Sequence, residues 1–182
     1  VLSPPFMAIA TQNPVEQEGT YPLPEAQLDR FLVKVLLNYP DLADEVRMVN
    51  EVTTGRTATD FDLARVQRVL GPADITAMQR GTAAVTVDEA VVDYAVRIAR
   101  ATREWPGLAM GAGPRGSLAL VRLARAQAVL DGRDFVTPDD VRAVAKPGLR
   151  HRLVLAPEMQ IEGQRVDQVL DALLAKVDAP RR

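Results

Sequence analysis

The run Ala10-Thr11-Gln12-Asn13-Pro14-Val15-Glu16-Gln17-Glu18-Gly19-Thr20-Tyr21-Pro22-Leu23-Pro24-Glu25-Ala26-Gln27-Leu28-Asp29-Arg30-Phe31 is a polar loop closing into a short helix between two apolar stretches. Those stretches, Phe6 to Ala10 and Phe31 to Leu37, have strand length, and the second is rich in Val and Leu, as a parallel strand buried on both faces would be. Pro24 suits a first helical position and Glu25 the positive end of a helix dipole, so a short helix through Arg30 is predicted. Strand, loop, helix and strand make a β-α-β piece, which calls for a larger sheet because two strands alone are marginal. The chain opens almost directly into the first run, so further strands are expected upstream. The unpaired strand edges are expected to pair across chains or to collapse onto the rest of the molecule.

Beyond Asn38-Tyr39-Pro40-Asp41 the pattern changes from strand runs to helical periodicity, which puts a domain boundary near Pro40 and divides the chain into residues 1–39 and 40–182. Asp41 can cap a helix to about Val52, and a linker follows from Thr53 to Asp62. A shorter helix is predicted from Leu63 to Leu70, another from Gly71-Pro72, and a third after Val87-Asp88-Glu89 with Val91, Ala95, Ile98 and Thr102 in one stripe. The helix after Gly113-Pro114 should end near Gly132 and turn Leu120, Leu123, Ala124 and Leu130 inward, with Arg115, Arg122 and Arg125 on another side. Thr137-Pro138-Asp139-Asp140 combines a capping hydroxyl, a first-turn proline and two carboxylates at the positive dipole end. The last helix carries Val166, Val169, Leu170, Leu173, Leu174 and Val177 as an amphipathic ladder. The fold expected is mainly α, with a last β-α-β piece in front.

Bulk properties narrow the function. A chain of 182 residues with 47% hydrophobic content can bury a core. Its 22 basic and 24 acidic side chains leave a formal charge of −2, which gives no support for a nucleic-acid partner or an anionic membrane surface. With no cysteine there is no disulfide, thiol nucleophile or zinc-thiolate site, which fits a cytoplasmic protein. No stretch reads as a signal peptide or a membrane span.

The loop quoted above, together with Gly111-Ala112-Gly113-Pro114-Arg115-Gly116-Ser117 and Phe135-Val136-Thr137-Pro138-Asp139-Asp140-Val141, closely resembles the MoxR family of AAA+ ATPases. The resemblance covers nearly the whole chain and implies the last strands of an AAA+ α/β core followed by its helical lid. It implies the sensor-1 role for Asn13, which sits where open α/β sheets hold ligands and could orient a water beside a γ-phosphate. On residue type alone, the commoner role for Asn13 is to cap the loop before Pro14, since Asx residues often initiate turns. It implies that Arg30 is the arginine finger, reaching a phosphate held by a neighbouring subunit, where residue type alone suggests a pair with Asp29 or a solvated helix end. It implies that Pro114-Arg115 opens the lid helix with Arg115 as sensor 2, in contact with the nucleotide of its own subunit. An arginine at a helix start is unfavourable for the dipole, and a bound phosphate would compensate; an exposed basic helix face is the plainer reading. The resemblance further implies ATP and Mg2+, a homo-oligomeric ring, commonly a hexamer, a partner with a von Willebrand factor A domain, and chaperone-like remodelling of client proteins.

Other polar residues suit plainer roles. Glu16, Glu18 and Glu25 fit loop acceptors better than general bases, since a base needs a positioned water and a matched pKa. His151 lacks metal partners of the usual spacing and fits a helix-end or packing role, and Trp105 fits a cover over the helical core. The sequence contains no Gly-x-x-x-x-Gly-Lys-[Ser/Thr] loop and no apolar strand ending in an Asp-Glu pair, so the chain by itself is expected neither to bind ATP tightly nor to hydrolyse it. The alternative is a non-enzymatic helical module that binds partner protein.

Overall fold

Thr137 begins the helix whose start the sequence marks most plainly, α6 (Pro138–Leu149). The Asp140 N–H donates to the Thr137 hydroxyl at 3.4 Å, and the Thr137 N–H donates back to the Asp140 carboxylate at 2.7 Å, so two end groups of the helix satisfy each other. Arg133 closes on the same carboxylate at 2.6 and 2.8 Å, and this pairing holds the Asp140 carboxyl below its usual range. The computed structural model describes residues 3–12, 23–54 and 66–180, which are mainly helical. None of the described helices is long and apolar enough to cross a membrane.

Around α6 lie α4 (Glu89–Ala101), α5 (Pro114–Leu130) and α8 (Val166–Lys176). Helices α5 and α6 form the central pair, with α4 and α8 against them. Tyr94, Ile98, Leu120, Leu149, Leu170 and Leu173 are fully buried between the four. Each aliphatic side chain buried there contributes about 1.5–3 kcal/mol relative to exposure. The stripe predicted on α4 is the buried one, because Val91, Ala95, Ile98 and Thr102 recur at the helical period and all face inward. Trp105 packs on this core as expected, and the Lys176 ammonium lies 5.2 Å from the centre of its ring.

Shorter elements complete the chain: α1 (Glu25–Leu28), α2 (Leu42–Thr53), α3 (Pro72–Ala84) and α7 (Pro157–Ile161). Asp41 caps α2 as predicted, accepting from the Asp44 N–H at 2.8 Å. Two short strands that the hydrophobic pattern does not announce, β1 (Leu108–Met110) and β2 (Val154–Leu155), pair antiparallel and fasten the loop before α5 to the segment after α6.

Several expectations need correction. Neither 6–10 nor 31–37 forms a strand, because the neighbours a parallel strand needs are not among the described residues; Phe6, Ile9, Val35 and Leu37 stand exposed instead. Part of the second stretch collapses onto the helical core, with the Lys34 N–H donating to the Pro147 carbonyl at 2.9 Å. The first helix ends at Leu28 and Arg30 lies in the turn after it, while Pro24 is the residue before the helix rather than its first. Residues 66–70 are not helical, and the rest of the helix predicted from Leu63 falls outside the described residues. Leu130 is 79% exposed, since α5 ends there, and Ala128 is the buried residue of its last turn.

Candidate functional site

Arg115 occupies the first turn of α5, and the chain before it is fixed from both sides. Buried Thr102 accepts the Ala112 N–H through its hydroxyl at 2.8 Å, and the Arg103 Nε donates to the Ala112 carbonyl at 2.9 Å. This anchor requires Gly111, because a Cβ there would lie 2.5 Å from the Thr102 carbonyl oxygen and 2.6 Å from the Arg103 Cα. Pro114 then sets the first helical position, exposed, with Gly113 extended before it. The Arg115 side chain emerges 54% exposed, as a group offered to something outside its own helix would be.

Arg30, also exposed, lies in the turn that follows α1. Its neighbour Asp29 does not behave as the simple helix-end partner that residue type suggested. One carboxylate oxygen of Asp29 accepts from the Arg152 Nε at 3.0 Å, and the other lies 3.7 Å from the Arg115 Nη1. The structure therefore brings the turn of Arg30 next to the first turn of α5, although the two are far apart in sequence. Asn13 lies outside the described residues, and among the described ones it is Asp29 that links the turn of Arg30 to Arg115.

A seam of basic residues holds the two parts together. Arg150, His151 and Arg152 form a 3-10 turn directly after α6. Arg150 binds Asp167 with two hydrogen bonds, at 2.8 and 3.0 Å, and donates to the Lys34 carbonyl at 3.2 Å. Arg152, its side chain only 3% exposed, donates to the carbonyls of Asp29, Phe31 and Leu32 at 3.1, 2.8 and 3.4 Å, and to that of Gly148. Burial pushes its guanidinium below the ordinary arginine value, and the Asp29 carboxylate opposes that shift.

Comparison with known proteins fits this geometry. The AAA lid domain family matches residues 100–173, and the ATPase family associated with various cellular activities (AAA) matches residues 1–33. Chaperone MoxR1 of Mycobacterium tuberculosis is 38% identical over 97% of this chain and 48% of its own length. The uncharacterized protein YeaC of Bacillus subtilis is also 38% identical, over 98% of this chain and 54% of its own length. A solved structure of a candidate ATPase from Cytophaga hutchinsonii superposes on 99% of this chain and 56% of that one, with a TM-score of 0.86 and 35% identity. The chain belongs to the MoxR family of AAA+ ATPases. It spans about half the length of these MoxR-type relatives.

For a MoxR-family chain, the residues that sequence reasoning passed over are Asp29 as a shared acceptor, Arg152 as its anchor, and Arg150, which holds the Lys34 carbonyl. The run Arg150-His151-Arg152 was visible as a basic triplet, but its partners at Asp29 to Lys34 lie more than a hundred residues upstream, at a separation of 123 for Asp29 and Arg152. Residue type and local spacing cannot reveal such a pairing. Guanidinium groups bind anionic oxygens and do not ligate cations, so neither Arg30 nor Arg115 could hold a metal ion. Among the described residues no three His, Cys, Asp or Glu side chains cluster as a metal site would.

His151 has the packing role expected of it. Its Nε2 lies 2.9 Å from the Phe31 carbonyl and 2.6 Å from the Arg152 Nη1, and can serve only one of them at a time, as donor to the first or acceptor from the second. Burial pushes its pKa below 6.5; the Phe31 carbonyl opposes, Arg152 and Lys34 lower it further, and Asp29 opposes again. The folded state therefore binds the proton less well than the unfolded chain, so stability is complete above the unfolded value and declines as pH falls below about 6.5 toward the folded value. Thermal unfolding followed from pH 8 to pH 5 is expected to show a decline that His151→Gln reduces. An equal decline in the variant would exclude His151 as its source.

Proposed function

We propose that this chain furnishes the arginine contacts of a ring-forming AAA+ ATPase that couples ATP binding and hydrolysis to chaperone-like remodelling of partner proteins. In this reading residues 1–39 close the α/β core and residues 40–182 form the lid. Arg115, opened by Pro114, contacts the phosphates of the nucleotide in its own subunit as sensor 2. Arg30 reaches the nucleotide of the next subunit as the arginine finger, and Asn13 orients the attacking water as sensor 1. The observation that carries the reading is the position of the Asp29 carboxylate, 3.7 Å from Arg115 and one residue from Arg30, which joins lid and core through a charged link. A rotation of the lid would then be transmitted to the turn of Arg30, and a change of phosphate charge at Arg115 could drive it.

Magnesium would arrive with the nucleotide and be held, with the phosphates, by P-loop and acidic residues that this sequence does not contain. For that reason the chain alone is expected to be inactive. The ring, of which a hexamer is the common form, and a partner with a von Willebrand factor A domain follow from the same family reading, while the proposed cytoplasmic location rests on the absence of cysteine.

The test is Arg115→Ala in the full-length protein, followed by nucleotide titration and steady-state turnover. Loss of a charge-assisted contact of about 1.5–3 kcal/mol should weaken nucleotide affinity roughly ten- to hundredfold. Unchanged affinity and turnover would favour the helical interaction module instead. That reading draws support from α2, which buries none of its residues and exposes Leu42, Val46, Val49 and Val52.

A further inference from the structure

The least expected group in the molecule is the Arg152 guanidinium. Its side chain is 3% exposed, so the charged group is almost entirely withdrawn from solvent. Taking a guanidinium out of water costs several kcal/mol, and apolar residues of similar volume commonly replace buried ion pairs without loss of stability. Stability alone therefore gives no reason for an arginine here. What an apolar side chain could not do is hold several acceptors in one plane.

Those acceptors bracket Arg30 and Phe31. Nη2 of Arg152 donates to the Asp29 carbonyl at 3.1 Å, which belongs to the peptide unit leading into Arg30. The same nitrogen donates to the Phe31 carbonyl at 2.8 Å, which belongs to the peptide unit after the Phe31 Cα. Nε donates to the Asp29 carboxylate at 3.0 Å, and Nη1 to the Leu32 carbonyl at 3.4 Å. With the Arg30 and Phe31 N–H groups donating to the Gln27 and Leu28 carbonyls at 3.1 and 3.0 Å, the backbone of Arg30 is tied down before and after its Cα. The stem of Arg152 packs against the α5 turn that bears Arg115. A Cβ placed on Gly116 would stand 3.7 Å from the Arg152 Cδ, 3.1 Å from a Leu149 methyl and 2.9 Å from the Ala112 Cβ. One planar side chain thus touches the turn of Arg30, the carboxylate facing Arg115, and the helix that carries Arg115.

We infer that Arg152 is a positioning residue, whose buried guanidinium fixes the direction in which Arg30 leaves the backbone and locks that turn to the first turn of α5. The inference rests on the reading of Arg30 as the arginine finger. Lysine at 152 would keep a charge and a long stem, but as a point donor it cannot bridge the Asp29 and Phe31 carbonyls in a fixed fork.

The experiment is a double-variant cycle in the full-length protein, measuring kcat and KM for ATP, with the unfolding temperature of each variant recorded. Arg152→Lys is expected to lower kcat roughly ten- to hundredfold, the scale of an ångström of misplacement at a reacting centre, with KM little changed. In the Arg30→Ala background the same substitution should have little further effect, because Arg152 acts through Arg30. If Arg152→Lys does not fold, Asp29→Asn takes its place; that side chain is 31% exposed, and the substitution weakens only the carboxylate end of the link. A variant that folds yet leaves kcat unchanged, or whose effect multiplies with that of Arg30→Ala, would overturn the positioning role while leaving the finger intact. Full activity in Arg30→Ala itself would instead remove the finger reading, and the positioning role with it.

Discussion

Replacing Arg30 by alanine in the full-length protein should lower ATP turnover by about 10³-fold or more while leaving the KM for ATP nearly unchanged. A finger guanidinium meets charge that develops on the transferring phosphoryl group, so its loss falls on the transition state and not on ground-state binding. The structure makes this a clean substitution. Arg30 is exposed in its turn, and the contacts that hold that turn come from Arg152 to the carbonyls of Asp29 and Phe31, which alanine at position 30 leaves in place. Steady-state kinetics at saturating ATP provides the measurement. A fall in affinity with kcat preserved would assign Arg30 to nucleotide binding in its own subunit, and no change at all would remove it from the site.

The largest loss of stability is expected from Leu120→Ala. Leu120 is fully buried in α5, at the point where that helix meets α6. The α5–α6 approach is close enough that a Cβ on Gly148 would stand 3.0 Å from a Leu123 methyl and 3.6 Å from one of Leu120. Truncation there leaves a cavity between two helices that cannot simply move together, since Arg152 and the seam hang from the end of α6. The expected cost is about 2–5 kcal/mol, which for a domain of this size lowers the unfolding temperature by roughly 4–15 °C. Urea unfolding with an unchanged m-value would confirm a pure stability effect. A cost below about 1 kcal/mol would mean that the α5–α6 contact is not the centre of the core.

The helical lid was readable because its signals are local. Asp41, Asp88 and Thr137 cap the helices they were expected to cap, each bonding to an N–H within three residues. The stripe of α4 and the ladder of α8 follow from a 3.6-residue period that packing merely had to respect. The strands predicted at 6–10 and 31–37 failed for the complementary reason: a parallel strand exists only beside its neighbours, and apolar content alone does not supply them. Strands β1 and β2 escaped notice because three and two residues carry no period. At the site, Pro114-Arg115 could be placed on a helix start from its own chemistry, whereas the helix expected to run through Arg30 ends two residues before it, at Leu28. That Asp29 would face Arg152 and Arg115 was not legible, since a carboxylate directly after a helix end has many local partners and the one it takes is set by tertiary packing.

The seam between the turn of Arg30 and the end of α6 is made largely of main-chain acceptors on one side: the carbonyls of Asp29, Phe31, Leu32 and Lys34. Every amino acid has a carbonyl, so the side chains at positions 31, 32 and 34 can drift during evolution without loosening this joint. The burden of heredity falls on the two donors, Arg150 and Arg152, and on the carboxylates of Asp29 and Asp167 that pair with them. A lineage could rewrite the surface of this hinge and keep its mechanics, provided the codons for those residues stayed fixed.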